Sequence, residues 1–247
     1  MKISVRHSVL LAAVTLFAGI ANLQASSADY TPVRLINPLE TTLPNDLRHL
    51  LMENPRVAFH VKVGPNGQIL DALAVEATHF GLLSKAEEKI LEAKFEPASL
   101  KGEPVPGKIT VIVTFYDLEQ RAWKRGLVGA PQGGSVSDAV ERRLYEANAA
   151  SYRYGECNPK ELDEPLQILE SKLYLVHPPE EGAPKGKVVV KYYIDHQGHV
   201  HMPKVLTSDN KYLTLSVLKT LEETRFAPPK RNGKPALVAV RQPFNFD

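Results

Sequence analysis

Lys94-Phe95-Glu96-Pro97, followed by Gly102-Glu103-Pro104, returns downstream as Arg225-Phe226-Ala227-Pro228, followed by Asn232-Gly233-Lys234-Pro235. Phe95 and Phe226, Pro97 and Pro228, Gly102 and Gly233, and Pro104 and Pro235 each stand 131 positions apart. Gly67 and Gly198 keep that offset. So do two alternating runs: Val57, Phe59, Val61 and Val63 align with Val188, Val190, Tyr192 and Ile194. A register held across a whole segment marks an internal repeat. The chain is therefore read as two copies of one small module. Each spans roughly 85–90 residues, enough for one modest core.

Within each copy the pattern predicts strand, strand, helix, strand. Arg56 to Val63 alternates polar and apolar, as a half-buried strand does. Gly64-Pro65-Asn66-Gly67 is a turn with the Asn-Gly hairpin signal, and Gln68 to Val75 returns. Leu82 to Phe95 has apolar residues at helical spacing, and Pro97 stops it. Ile109, Val111, Val113 and Phe115 make a third strand. The second copy runs Lys187 to Ile194, the turn Asp195-His196-Gln197-Gly198, His199 to Leu206, a helix over Leu213 to Phe226, and a last strand from Leu237 to Phe246. A lone hairpin does not hold its shape in water, so the helix must cover one face of each sheet. The expected fold is α+β: two tandem small β-β-α-β domains, each an antiparallel sheet covered by one helix, joined by a partly helical linker.

The expected boundaries are 29–118 for the first domain, 119–161 for the linker and 162–247 for the second domain. Residues 29–45 form a proline-punctuated extended lead-in, and Asn45 caps a short helix over 46–52. In the linker, Gly126 to Gly134 is rich in Gly and Pro. Ser137 caps a helix over Asp138 to Ala149, with Val140, Leu144 and Ala147 on its apolar face. A second short helix over Lys160 to Leu169 is interrupted by Pro165. The Arg142-Arg143 pair reads as a solvated face, and Trp123 in the basic stretch Arg121 to Arg125 as packed on the domain.

Residues 1–28 read as a secretory signal. Lys2, Arg6 and His7 precede an apolar run from Val9 to Ala18, and the small residues Ala25-Ser26-Ser27-Ala28 follow. Cleavage after Ala28 is preferred to cleavage after Ala25. An uncleaved inner-membrane anchor is the alternative, although the run is short for a span. Removing the segment takes Lys2 and Arg6 with it and leaves 28 basic and 28 acidic residues. That balance carries no footprint of nucleic-acid or membrane-surface binding. The single cysteine, Cys157, cannot form an internal disulfide and reads as a buried, inert thiol.

The strand, turn glycine, second strand, amphipathic helix ending in Lys/Arg-Phe-x-Pro, then Gly-x-Pro and a final strand with aromatic residues, resembles the C-terminal domain of TonB-type energy transducers. The likeness covers about 33–117 and 164–247. The second copy matches better: His177-Pro178 stands where the family has Tyr-Pro, and Asp195 to Gly198 fits its hairpin. In the first copy Leu43-Pro44 takes the Tyr-Pro place. The resemblance implies a periplasmic protein-binding module. Its last strand would offer an open edge to an extended segment, such as a TonB-box-like segment of an outer-membrane receptor. In the second copy that edge is Leu237, Ala239, Arg241, Phe244 and Phe246; in the first it is Ile109 to Tyr116. Between residues 29 and 55 there is no Pro-Lys or Pro-Glu run of the kind found in a transducer's spacer. The alternative is a scaffold whose edges close between the two domains.

Strand addition needs no cofactor, and none is expected; nor is membrane insertion of the mature chain. The sequence holds no Gly-x-Ser-x-Gly, Gly-x-x-x-x-Gly-Lys, His-Glu-x-x-His or Cys-x-x-Cys, so no enzyme signature is present. One cluster invites chemistry. His199 and His201 share a strand face, and His196 sits in the turn beside them. Three imidazoles suit Zn²⁺ or Cu²⁺ in a metal-handling envelope protein. The plainer reading is a solvated hairpin tip.

Overall fold

A computed structural model describes residues 29–50, 52–118, 121, 136–176 and 184–246. The signal-like residues 1–28, the Gly/Pro stretch 126–134, Trp123, the Ser137 cap and His177-Pro178 lie outside the described residues or side chains. The first hairpin is β2 (Arg56–Val63) and β3 (Ile69–Ala77), after a short lead-in strand, β1 (Leu39–Thr42). Helix α1 (Leu83–Ile90) and β4 (Gly107–Tyr116) complete that unit. Helix α2 (Val136–Tyr152) and β5 (Tyr154–Cys157) follow. Then come β6 (Gly186–Ile194), β7 (Val200–Ser208), α3 (Lys211–Glu222) and β8 (Leu237–Phe246). No helix among the described residues is long and apolar enough to cross a membrane.

The alternation read in the sequence is the packing. Val57, Phe59, Val61 and Val63 point into one core with Leu83, Ala86 and Ile90 of α1. Val188, Val190, Tyr192 and Ile194 point into a second with Leu213, Val217 and Leu221 of α3. Each such side chain contributes about 1.5–3 kcal/mol on full burial. The motif glycines have a physical reason to recur with their phenylalanines. Gly67 and Gly198 turn at φ +77° and +87°, and the carbonyls of Phe95 and Phe226 lie against their Cα atoms. No side chain fits there. Phe226 N–H also donates to Gly198 O at 2.9 Å.

The sheets do not stay separate. Eight strands form one sheet in the order β7-β6-β8-β5-β3-β2-β4-β1. The joint is β5, in the segment expected to be linker. It pairs antiparallel with β3 (Tyr154 opposite Ala77) and parallel with β8 (Cys157 opposite Val238). A second parallel pair joins β1 to β4, Leu39 opposite Val113 through Thr42 opposite Tyr116. The sheet is thus mixed rather than purely antiparallel. Open edges leave backbone groups unpaired, and both joining segments satisfy some of them.

Directly opposed residues share a face, and residues an odd number apart on a strand lie on opposite faces. Tyr154 and Cys157 are three apart. Tyr154 accordingly enters the core under α1, and Cys157 the core under α3. The two helices therefore cover opposite faces of the shared sheet. Cys157 is buried, and burial pushes its thiol pKa up, which disfavours the reactive thiolate.

Four helical expectations are corrected. Helix α3 stops at Glu222 rather than Phe226, because Arg225–Phe226 pairs as a strand with Ile168–Glu170. Helix α1 ends at Ile90, because Phe95–Glu96 pairs with Arg34–Leu35, tied by the Arg34–Glu96 ion pair. Lys160 to Leu169 holds only a single turn over Pro159–Glu161, capped by Asn158. Beyond Pro165 the chain extends, and Ile168 pairs with Phe226. On α2, Val140, Leu144 and Ala147 face solvent. The packed face is aromatic instead: Tyr145 stacks on Tyr152 and Tyr152 on His79, which stacks in turn on Phe80. Rings offer more contact area than Val or Ala, so they decide which way the helix turns. Lys234 Nζ sits 4.4 Å above the Tyr152 ring and joins the second unit to the stack.

Candidate functional site: a strand edge and a histidine hairpin

Strand β8 pairs with β6 along its full length, from Val238 opposite Ile194 to Phe246 opposite Gly186. On its other side β5 reaches only Leu237 and Val238. From Ala239 to Phe246 no described strand pairs with that outer edge. Pro243 explains which groups face outward. It lacks an N–H, yet the register with β6 runs unbroken through Val189 opposite Pro243. A proline is tolerated in a strand where its nitrogen faces an open edge. Backbone groups alternate sides along a strand, so Ala239, Arg241 and Asn245 share that outward orientation.

The five sequence-predicted edge residues divide. Leu237 is fully buried and its outer edge is taken by β5, so it is not available to a partner. Ala239 is half-buried and Arg241 exposed, on the face opposite α3. Phe244 and Phe246 lie on the α3 face, partly packed against the second core. In the first unit the edge of β4 is closed at Val113 to Tyr116 by β1. Those positions correspond, 131 residues on, to the end of β8.

The lead-ins of the two units differ accordingly. In the first, Leu39–Thr42 lies beside the last strand. In the second, the lead-in runs along α3. Tyr174 N–H donates to Thr220 Oγ1 at 3.1 Å, and Val176 N–H to Ser216 Oγ at 2.9 Å. Its apolar side chains Leu173 and Leu175 stay exposed. Among the described residues, the outer edge of β8 beyond Val238 has no counterpart of the strand that covers β4.

The histidine hairpin sits where β7 meets β3. Met202 N–H donates to Asp71 Oδ2 at 2.8 Å. Met202 and Asp71 are themselves 131 positions apart, so equivalent sites of the two hairpins face each other. Met202 holds φ +51° at a break in the β6–β7 register. His201 lies between two carboxylates, with Nδ1 2.6 Å from Asp71 Oδ1 and Nε2 3.0 Å from Asp195 Oδ2. Burial lowers its pKa, but the bonds to Asp195 and Asp71 outweigh this and push it up to about 9. Burial works against the Asp71 carboxylate, yet His201 and the Met202 amide hold its pKa below the ordinary value. His199 Nδ1 is 3.4 Å from Asp195 Oδ2.

His196 does not join this group. It turns to α1, 3.6 Å from Glu87 Oε1, with its ring edge-on to Tyr154. Burial pulls its pKa down. Burial, with Asp195 adding to it, pushes Glu87 up to about 7. Two members of the cluster were missed in the sequence. Asp195 reads there as a turn residue, and Asp71 belongs to the other hairpin.

With this geometry in view, residues 181–247 match the family model described as Gram-negative bacterial TonB protein C-terminal. The match spans β6, β7, α3 and β8. A TonB C-terminal domain is thus present in the second unit, and a domain of this type is an envelope protein-interaction module. No curated protein and no solved structure matches the chain.

Proposed function

We propose that this is an exported, periplasmic protein-binding protein built from two tandem TonB C-terminal-like domains, 29–118 and 162–247. The second binds an extended segment by strand addition along Ala239 to Phe246, and the first supports it. The carrying observation is that, among the described residues, β8 is paired on its outer side only at Leu237 and Val238. Strand addition gives unpaired backbone groups partners, while nearby side chains select the sequence. Arg241 favours an acidic residue in the segment, and Phe244 and Phe246 favour apolar ones. A TonB-box-like segment of an outer-membrane receptor has the required extended form. The signal-like residues 1–28 support export, with an uncleaved inner-membrane anchor as the other route to the same compartment. A second reading, a scaffold with closed edges, is favoured by the β1–β4 pairing, which closes part of the first domain's edge.

Arg241→Pro separates the two. It removes an outward donor without removing a β6 ladder bond, because Arg241 shares the orientation of Pro243. Binding of a fluorescent TonB-box-like peptide to the protein should weaken about tenfold or more, roughly one lost charge-free backbone bond with its neighbours disturbed. Arg241→Ala keeps the donor and should lose less. Equal peptide binding by wild type and Arg241→Pro would remove the edge from consideration.

A further inference from the structure

The second hairpin holds a set of donor atoms that the β8 edge does not use. Asp195, His199 and His201 each offer one ligand atom, and these lie within 4.8 Å of one another. Asp195 Oδ2 is 3.0 Å from His201 Nε2 and 3.4 Å from His199 Nδ1. Nitrogen and oxygen donors bound to tetrahedral Zn²⁺ at about 2.0–2.1 Å stand about 3.3–3.4 Å apart. Two of the three donor spacings are therefore already near those of a bound ion. We propose that Asp195, His199 and His201 form a Zn²⁺ site at the junction of the two hairpins.

The surroundings supply what such a site needs beyond its ligands. A metal-bound imidazole is oriented by a partner on its other nitrogen, commonly a carboxylate. Asp71 is that partner: its Oδ1 accepts from His201 Nδ1, which leaves Nε2 for the ion. Asp71 is fixed in turn by the Met202 N–H. Asp195 is held in the same way. Its Oδ1 accepts the N–H groups of Gln197 at 2.9 Å and His199 at 2.8 Å, which turns Oδ2 toward His201 Nε2 and His199 Nδ1, where an ion would replace the proton that Oδ2 now shares with His201. Met202 keeps its left-handed backbone at this point, a strained conformation that persists where surrounding contacts enforce it.

The donor set decides the class of ion. Two imidazoles and one carboxylate suit Zn²⁺, whereas Mg²⁺ and Ca²⁺ prefer oxygen alone. Three protein ligands leave a fourth position for water. The Asp195 side chain is 11% exposed and that of His199 37%. The ion would enter from the His199 side and rest against the buried carboxylate. Because Asp71 belongs to β3 and the ligands to the β6–β7 hairpin, the ion would brace the junction of the two units. The site stands whether or not β8 takes a peptide.

Calorimetric titration of the purified protein, without a polyhistidine tag, with ZnCl₂ tests the site. The expected result is one ion per chain. His199→Ala should weaken binding about tenfold or more, and Asp71→Asn about 10–100-fold although it touches no ion. His196→Ala should leave the affinity unchanged. His199 is half-exposed, so its variant is expected to fold, and circular dichroism checks this. Absence of heat with the wild-type protein, or undiminished affinity in folded His199→Ala, overturns the site. Peptide binding at β8 is scored separately and is indifferent to either result.

Discussion

Gly198→Ala will destabilise the second unit by about 3 kcal/mol or more, enough to leave it partly unfolded at room temperature. Two costs combine. At φ +87° a side chain adopts a left-handed backbone, which costs about 1–2 kcal/mol. The added Cβ would also fall on the Phe226 carbonyl, a rigid backbone group with no freedom to retreat. Moving that carbonyl disturbs the Phe226 ring in the second core and the Ile168–Phe226 pair together. Gly233→Ala is the control. Its φ is +71°, but nothing lies within 4 Å of the added atom, so the cost is about 1 kcal/mol. Urea unfolding of both variants measures the difference. Equal losses would mean that Gly198 is present only for its backbone freedom, and that its coupling to the Phe-x-Pro motif is wrong.

Tyr154→Ala will cost about 3–5 kcal/mol, the range for removing a fully buried large aromatic side chain. Tyr154 is 1% exposed and stands on the only described strand that bridges the two hairpin systems. Its loss opens a cavity between α1, Ala77 and Leu237 and loosens the hold of β5 on both neighbours. The unfolding transition should therefore split, with the two units melting separately. Tyr154→Phe keeps the ring and removes only a buried hydroxyl that has no hydrogen-bond partner, so it should leave stability unchanged or raise it slightly. Denaturation followed by circular dichroism and by tyrosine fluorescence reads this directly. A single transition with an unchanged midpoint in Tyr154→Ala would show that β5 does not couple the units.

Much of this was legible because glycine, proline and period-two alternation leave marks that survive in sequence. Gly67 with Phe95 and Gly198 with Phe226 record one contact twice. Strand β5 left no mark. Tyr154-Gly155-Glu156-Cys157 buries its first and last residues on opposite faces, so no alternation identifies it. The closure of β4 by Leu39–Thr42 is equally silent, since strand pairing over 70 residues depends on where the lead-in is carried. On α2, Val140, Leu144 and Ala147 obey helical spacing as well as the packed face does; only the position of His79 and Phe80 turns Tyr145 and Tyr152 inward. At the histidine hairpin, period two placed His199 and His201 together. Proximity in sequence wrongly added His196, whose turn position aims it at Glu87. Asp71, which orients His201, is 130 residues away.

Backbone amide hydrogen exchange, followed by NMR in the free protein and with a TonB-box-like peptide, tests the central claim most directly. With an open edge on β8, the amides of Arg241 and Asn245 exchange fast in the free protein, while those of Val240, Gln242 and Phe244 are slow. Peptide should then protect the first two and leave the amides of β4 unchanged. If those two amides are already slow without peptide and stay so with it, the edge is occupied, and the protein is a closed scaffold rather than a binding module.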